Sequence, residues 1–311
     1  MGLRDLYEET FPPGLKKAIK KRKNGLLRLF KRKIGENELR RDLAGLGIVP
    51  GDILFVHSSM KRIGNVRNGP DTVIDALLRA VGPEGTVMMP AYSMPQHSQL
   101  AALEEYSGFD PLVTPATVGF LPETFRKRKG ALRSIHPTSS VSAIGKLAEE
   151  MTGSHHLSPT TFGRGTPFHN FLEAGGKLLG IGIDIGPVTF YHVIEDVIDD
   201  FPVDPYCDRE YEVEVRDWQG SARTMKVRPQ DPEVARTRID HRPEGDWIRG
   251  FFTEILVRRG MISYGKFGET TAWTVNARDL YQVQSELAVE KVTIYTTEEE
   301  YRRLHGEGDS G

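Results

Sequence analysis

The 311-residue chain contains one cysteine, Cys207. A single thiol excludes an intrachain disulfide framework and any multi-cysteine zinc site, and it suits a reducing, cytoplasmic setting. No apolar run approaches the ~18 residues a membrane-spanning helix needs, and the N-terminus lacks the apolar region of a signal peptide, so a soluble protein is expected. Neither sign of charge is in excess. The 41 Lys and Arg against 43 Asp and Glu leave a formal charge of -2, which gives no general attraction to nucleic acid. Several catalytic signatures are absent too. There is no G-x-x-x-x-G-K-[ST] phosphate loop and no H-E-x-x-H pair. The run "GIGIDIG" has the wrong spacing for a dinucleotide-binding glycine motif, and no G-x-S-x-G elbow occurs. His97, His155 and His156 fall in expected loops without metal-ligand spacing, so no metal is expected. Histidine and carboxylate chemistry is what remains.

The first residues differ in texture from the rest. Leu15 to Lys33 reads "LKKAIKKRKNGLLRLFKRK", dense in cations and without an acid. It reads as a solvated basic extension covering residues 1–36, or as a weak contact with an anionic membrane surface. From Asn37 the pattern is regular and reads as one domain to residue 311. "ELRRDLAGLGIV" and "GPDTVIDALLRAVG" have helical periodicity, whereas "DILFVHSSM", "GTVMMPAYSM" and "GKLLGIGID" read as buried strands. "HPTSSVSAIGKLAEEMT" reads as a helix with a hydroxyl-rich start. "YEVEVRDWQGSARTMKVRP" alternates with period two around "WQG", a hairpin within a smaller unit at about 202–245. "WIRGFFTEILVRRGMI" reads as an amphipathic helix, and "FGETTAWTVNARDLYQVQSELA" as a return to helical packing.

Three histidines sit where chemistry is plausible on positional grounds. In "TFYHVIED", His192 and Glu195 are three residues apart on one helical face, with Thr189 a further three before them near the helix start. They read either as a stabilising pair with a cap, or as a general base, the group that orients it and a donor for developing negative charge. His57 ends the strand "DILFVHSS", and strand ends open the ligand crevice in sheets of this kind. It reads as a core histidine followed by capping serines, or as a site residue beside Ser58 and Ser59, which suit a polar or phosphorylated ligand. His136, in "RSIHPTSSV", precedes Thr138, Ser139 and Ser140, with Arg133 nearby. That segment reads as a structural cap or as an anion site at a helix start.

The ordered set "LFVHSSM", "VGPEGTVMMPAYS", "FDPLVTPATVGFLPETFR", "RSIHPTSSVSAIGKLA", "GRGTPFHNFLEAGGKLLGIG" and "TFYHVIED" resembles the aminoglycoside 3-N-acetyltransferase family, also called the antibiotic N-acetyltransferases. The likeness runs over roughly Asn37 to Leu280. It implies an α/β fold unlike the commoner acetyltransferase superfamily, acetyl-CoA as donor, and an amine on an amino sugar as acceptor. It also implies that His57, His192 and Glu195 line the active site and that Thr189 is the motif threonine. Pattern and resemblance together give an expected three-layer α/β/α sandwich with a central, largely parallel mixed sheet and a small antiparallel β insertion. Ser58, Ser59, Met60, Arg133, Ser139 and Ser140 are then the expected contacts for the co-substrate, and a homodimer stays open.

One departure bears on the acceptor. Relatives acting on polycationic antibiotics resemble one another in having carboxylates after the second strand, where this chain reads "PAYSMPQHSQ", with no acid until Glu104 and Glu105. Asp110, Asp184, Asp196, Asp199 and Asp200 are the acids that could compensate. A pocket poor in carboxylates favours a less cationic amine.

Overall fold

A computed structural model describes residues 32–94, 98–105, 108–186, 188–240 and 242–306. The basic N-terminal segment therefore lies almost wholly outside the described residues, and so does His97. Ile34 is already part of the folded body, buried and bridged to Val66.

In chain order the elements are α1 (Glu36–Gly45), β1 (Ile53–Ser58), the single turn α2 (Met60–Ile63), α3 (Pro70–Val81), β2 (Thr86–Pro90), α4 (Gln99–Glu105), α5 (Phe120–Arg126), β3 (Leu132–Arg133), β4 (Val141–Gly145) and α6 (Ala148–Thr152). There follow α7 (Pro167–Glu173), β5 (Lys177–Ile181), α8 (Val193–Val197), β6 (Tyr211–Arg216), β7 (Ala222–Val227), α9 (Pro232–Thr237), α10 (Asp246–Arg258), β8 (Ile262–Phe267), β9 (Thr270–Asn276), α11 (Ala277–Val289) and α12 (Glu298–His305). Among these described residues no helix is long and apolar enough to cross a membrane.

Seven strands form one mixed sheet in the order β3-β4-β2-β1-β5-β9-β8. Helices cover both faces, and period-two alternation in β1 shows how. Leu54 and Val56 join the cluster built from α1 and α3, including Leu39, Leu43, Val73 and Leu77. Phe55 points the other way, into a cluster with Phe168 and Phe171 of α7 and with Phe190. These are the expected three layers. Parallel pairing is smaller in extent than the strand–helix alternation suggests, because only β1 pairs in parallel, with β2 and with β5. The remaining pairs are antiparallel.

Two segments account for that difference. "TSSVSAIG" forms a turn leading into strand β4 rather than the start of a helix, and the helix comes only afterwards as α6. Its hydroxyls bond to buried neighbours instead of capping: Ser140 Oγ donates to the Ala91 carbonyl, and Ser139 Oγ accepts from the Gln99 amide group. "FGETTAWTV" forms the β8–β9 hairpin, turning at Gly268 (φ 62°), rather than helical structure. A tight hairpin can only be antiparallel. The β-rich run Thr270–Asn276 then pairs with β5 and carries Trp273 into the core.

The small sheet is the expected hairpin. β6 and β7 pair from Tyr211↔Val227 to Arg216↔Ala222, and Asp217 holds the turn by accepting from the Gln219 and Ser221 amides. Its apolar face, Val213, Val215, Met225 and Val227, closes on Phe109 and Ile135.

Gly180 is required by packing. A Cβ there would lie 2.1 Å from the Trp273 ring, whose Nε1 donates to the Ile183 carbonyl at 2.8 Å. Gly180→Ala is expected to cost about 1–3 kcal/mol, the usual penalty for overfilling a core. Urea unfolding at neutral pH measures it, and a loss below 0.5 kcal/mol (an order-of-magnitude threshold for surface-like changes) would mean that the ring has room to move.

Candidate active site

Because β1, β2 and β5 run parallel, their carboxyl ends share one edge of the sheet, where ligand crevices of α/β sheets form. A cavity of about 410 Å³ opens there. Its walls include His57 and Ser58 from the end of β1, Pro90 and Tyr92 from β2 and the residues after it, and Ile183 from the loop after β5. Thr189 and His192 enter from the 3-10 turn Thr189–His192 that leads directly into α8. The expected helix is thus split into a tight turn and a short α-helix, and both histidines still reach the same cavity.

His192 is 4% exposed, and its Nδ1 lies 2.8 Å from Glu195 Oε2. A carboxylate can only accept, so Nδ1 is the donor and the lone pair of the neutral ring sits on Nε2. The other oxygen of Glu195 accepts from the Tyr295 hydroxyl at 2.9 Å, brought in from the segment before α12. Phe162 stacks on the imidazole at 5.2 Å between centroids. Phe162 is held in turn by Asp196, whose Oδ2 accepts from the Phe162 amide at 2.9 Å and from the Tyr206 hydroxyl at 2.7 Å. Burial raises the Asp196 carboxyl to about 6. The imidazole is therefore fixed on its edge by Glu195 and on its face by Phe162.

His57 follows Phe55 on the same strand face, with ring centroids 5.1 Å apart. Burial lowers its pKa to about 4, and its Nε2 is buried without a hydrogen-bond partner. The Tyr92 hydroxyl is likewise buried without a well-formed hydrogen bond, on the side of Thr189. Burial raises that phenol, so it stays a neutral O–H. Ser139 reaches the cavity with Gln99, which donates to Ser139 Oγ and to Thr161 Oγ1 and accepts from the Gln230 amide.

Other expected contacts lie elsewhere. Arg133 is 1% exposed and its guanidinium is consumed by the fold. It donates to Ser140 Oγ, Ser93 Oγ and the carbonyls of Ala91, Pro111 and Thr114, leaving no donor for a ligand. Ser140 is its buried partner, so neither residue faces the cavity. Ser59 donates its amide to the Ile181 carbonyl, and Met60 packs towards the α1 and α3 layer, on the far side of the sheet. His136 does not precede a helix. It is buried against His155 with ring centroids 4.4 Å apart, and its Nδ1 accepts from the Ser139 amide. The acids offered as compensation are also displaced from the cavity. Asp110 binds the Leu112 amide, Asp196 holds Phe162, Asp199 and Asp200 are exposed, and Asp184 lines a separate cavity.

Tyr92, Gln99, Phe162, Gln230 and Arg238 also line the site without having been expected. Tyr92 could have been found from its place just after a parallel strand. Gln99 begins helix α4, and Phe162, Gln230 and Arg238 come from connecting segments, whose route over the sheet has no local signal.

A three-layer α/β/α domain, with a histidine–glutamate pair opening on a cavity at parallel strand ends, falls within a known family. The family model described as aminoglycoside 3-N-acetyltransferase matches residues 55–288, and the chain belongs to that family. Among individual relatives, aminoglycoside N(3)-acetyltransferase VII of Streptomyces paromomycinus is 36% identical over 188 residues, 56% of this chain and 65% of that protein. Aminoglycoside N(3)-acetyltransferase III of Acinetobacter baumannii is 40% identical over 165 residues, 50% of this chain and 57% of that protein. The chain thus spans less than two thirds of these curated relatives. A solved structure of AAC-IIIb with CoASH superposes with a TM-score of 0.71 at 28% identity, covering 84% of this chain and 98% of that one. AAC-VIa bound to sisomicin gives a TM-score of 0.68 at 25% identity, covering 82% of this chain and 97% of that one.

Proposed function

We propose that the protein is an acetyl-CoA-dependent N-acetyltransferase that acylates an amine of an aminoglycoside or another amino-sugar-like acceptor, as a single domain working in the cytoplasm. The observation that carries this reading is the His192–Glu195 pair at a ligand-sized cavity, with Nε2 as the proton-accepting atom. Family membership and the CoA- and sisomicin-bound neighbours support the choice of donor and acceptor.

In this reading an ammonium must lose a proton before its nitrogen can attack a thioester. The neutral His192 ring takes that proton, and Glu195 fixes its tautomer and stabilises the cation that forms. As the nitrogen adds, charge grows on the thioester oxygen. The hydroxyls of Tyr92, Thr189 and Ser58 are the donors available to it in the cavity. His57 stays neutral at physiological pH because burial disfavours its cation, so it serves as a hydrogen-bonding wall without adding charge. As the adduct collapses, the His192 imidazolium returns its proton to the departing CoA sulfur, and the neutral ring then takes the second proton from the acylated nitrogen, leaving free thiol and the amide.

The decisive test incubates the full chain with acetyl-CoA and a panel of amines, following free thiol and product mass. Amine-dependent thiol release with a mass gain of one acetyl group on the amine supports the proposal. Thiol release from another acyl-CoA alone would change the donor, and no release with any pair would reject the transferase reading.

A further inference from the structure

Among the described residues lining the 410 Å³ cavity there is no carboxylate, and the permanent cation is Arg238. Its side chain is 12% exposed. Asp240 takes Nε and Nη2 at 3.1 and 2.8 Å and so fixes the plane of the guanidinium. Nη1 makes no hydrogen bond to any described residue. The two acids nearest to His192 in sequence are already committed, Glu195 to His192 and Tyr295, and Asp196 to the Phe162 amide and Tyr206. Past Gln99 and Gln230, which belong to both, an adjoining cavity of about 480 Å³ adds one acid and one base, Glu104 and Arg236.

A polycation entering this space meets a pre-set guanidinium and no anionic wall. An anion meets a fork whose free edge is already oriented, which favours planar or tetrahedral oxyanions. We infer that the acceptor is an amine that also carries an anionic group, a phosphate or carboxylate on an amino-sugar-sized molecule, and that Arg238 holds that group while the nitrogen reaches His192. The inference rests on the transferase reading for its chemistry, but the binding preference it requires can be read without turnover. Phosphates of CoA could use the same fork, so the source of the anion has to be separated.

The test is calorimetric titration of the full chain with glucosamine, glucosamine 6-phosphate and sisomicin, with and without saturating CoA, and of the Arg238→Gln and Arg238→Lys variants. The phosphorylated sugar is expected to bind about tenfold tighter than glucosamine, and sisomicin no tighter than glucosamine. Arg238→Gln should reduce the gap to about twofold or less, Arg238→Lys should keep part of it, and saturating CoA should leave it intact. Arg238→Gln removes the ion pair of the buried Asp240, so an Arg238→Gln/Asp240→Asn double variant provides the same comparison if the single one does not fold. Tightest binding by sisomicin, or an unchanged gap in the variants, overturns the inference. Displacement of glucosamine 6-phosphate by CoA, or tighter binding of CoA than of dephospho-CoA in the wild type that is lost on substitution, also overturns it by assigning Arg238 to the donor. The expected preference without thiol release would reject the transferase reading and leave the anion site standing, whereas thiol release without the preference would reject the anion site alone.

Discussion

Replacing His192 with alanine is expected to lower amine-dependent thiol release from acetyl-CoA by about 10²–10⁴, the usual worth of a positioned general base. The loss should fall on kcat, because the proton is transferred in the reaction and not on binding. Glu195→Gln tests the partner. It keeps an oxygen that can accept from Nδ1 but removes the charge that stabilises the imidazolium. Losing a charge-assisted bond of roughly 1.5–3 kcal/mol corresponds to roughly 10–100-fold in rate. Because the Glu195 side chain is fully buried, His192→Ala leaves it a carboxylate with the Tyr295 hydroxyl but without its imidazole partner, and melting curves must accompany the kinetics. Added imidazole should restore part of the rate in His192→Ala, since the substitution opens a ring-sized space beside Phe162. Full activity in the alanine variant would sink the proposed base.

The second large effect is loss of stability in mild acid. His57, His136 and His155 are buried, and burial lowers their pKa values to about 4, to about 3 and well below the ordinary value of 6.5 respectively. Above pH 6.5 folded and unfolded states both hold these rings neutral, and they contribute no pH dependence. Below it the unfolded chain binds protons that the folded chain excludes, so stability falls as pH drops towards 4. Each ring contributes about 1.4 kcal/mol per pH unit within its window. Asp196 acts in the opposite direction. Its raised folded pKa of about 6 means that the folded state gains a proton first, and the stability this gives is present at low pH and lost as pH rises through 6. Three rings against one carboxyl leave a net slope of about 3 kcal/mol per unit between pH 6 and 4, large against a typical total of about 5–15 kcal/mol. Urea unfolding at pH 7, 6, 5.5 and 5 measures the slope, and His57→Asn should reduce it by the share of one ring. A stability independent of pH over that range would show that the rings are not held neutral.

The acid sensitivity was not visible in the sequence, and the reason lies in His136. "RSIHPTSSV" has the hydroxyls of a helix start and an arginine beside them, the local chemistry of an anion site. Only the fold shows β4 paired with β2, Arg133 consumed by three carbonyls and two hydroxyls, and His136 stacked on His155. Side-chain hydrogen bonding serves a cap, a ligand or a buried network with the same residue types, and the choice depends on which segments lie nearby.

Local rules did decide a good deal. Short apolar runs placed β1, β2 and β5, which are buried on both faces, whereas period-two alternation placed the β6–β7 hairpin and helical periodicity placed α1, α3 and α10, because burial on one face leaves its period in any chain that must hide that face. The i, i+3 spacing of His192 and Glu195 survived a split into a 3-10 turn and a short helix, since both conformations put such residues on one side. Tertiary structure alone decided what surrounds them. The second bond to Glu195 comes from Tyr295, the stack from Phe162 and the guanidinium at the cavity wall from Arg238, each delivered by a different loop. Such contacts are set by where the chain returns across the sheet, and that is fixed by the packing of both layers at once rather than by any stretch of neighbouring residues.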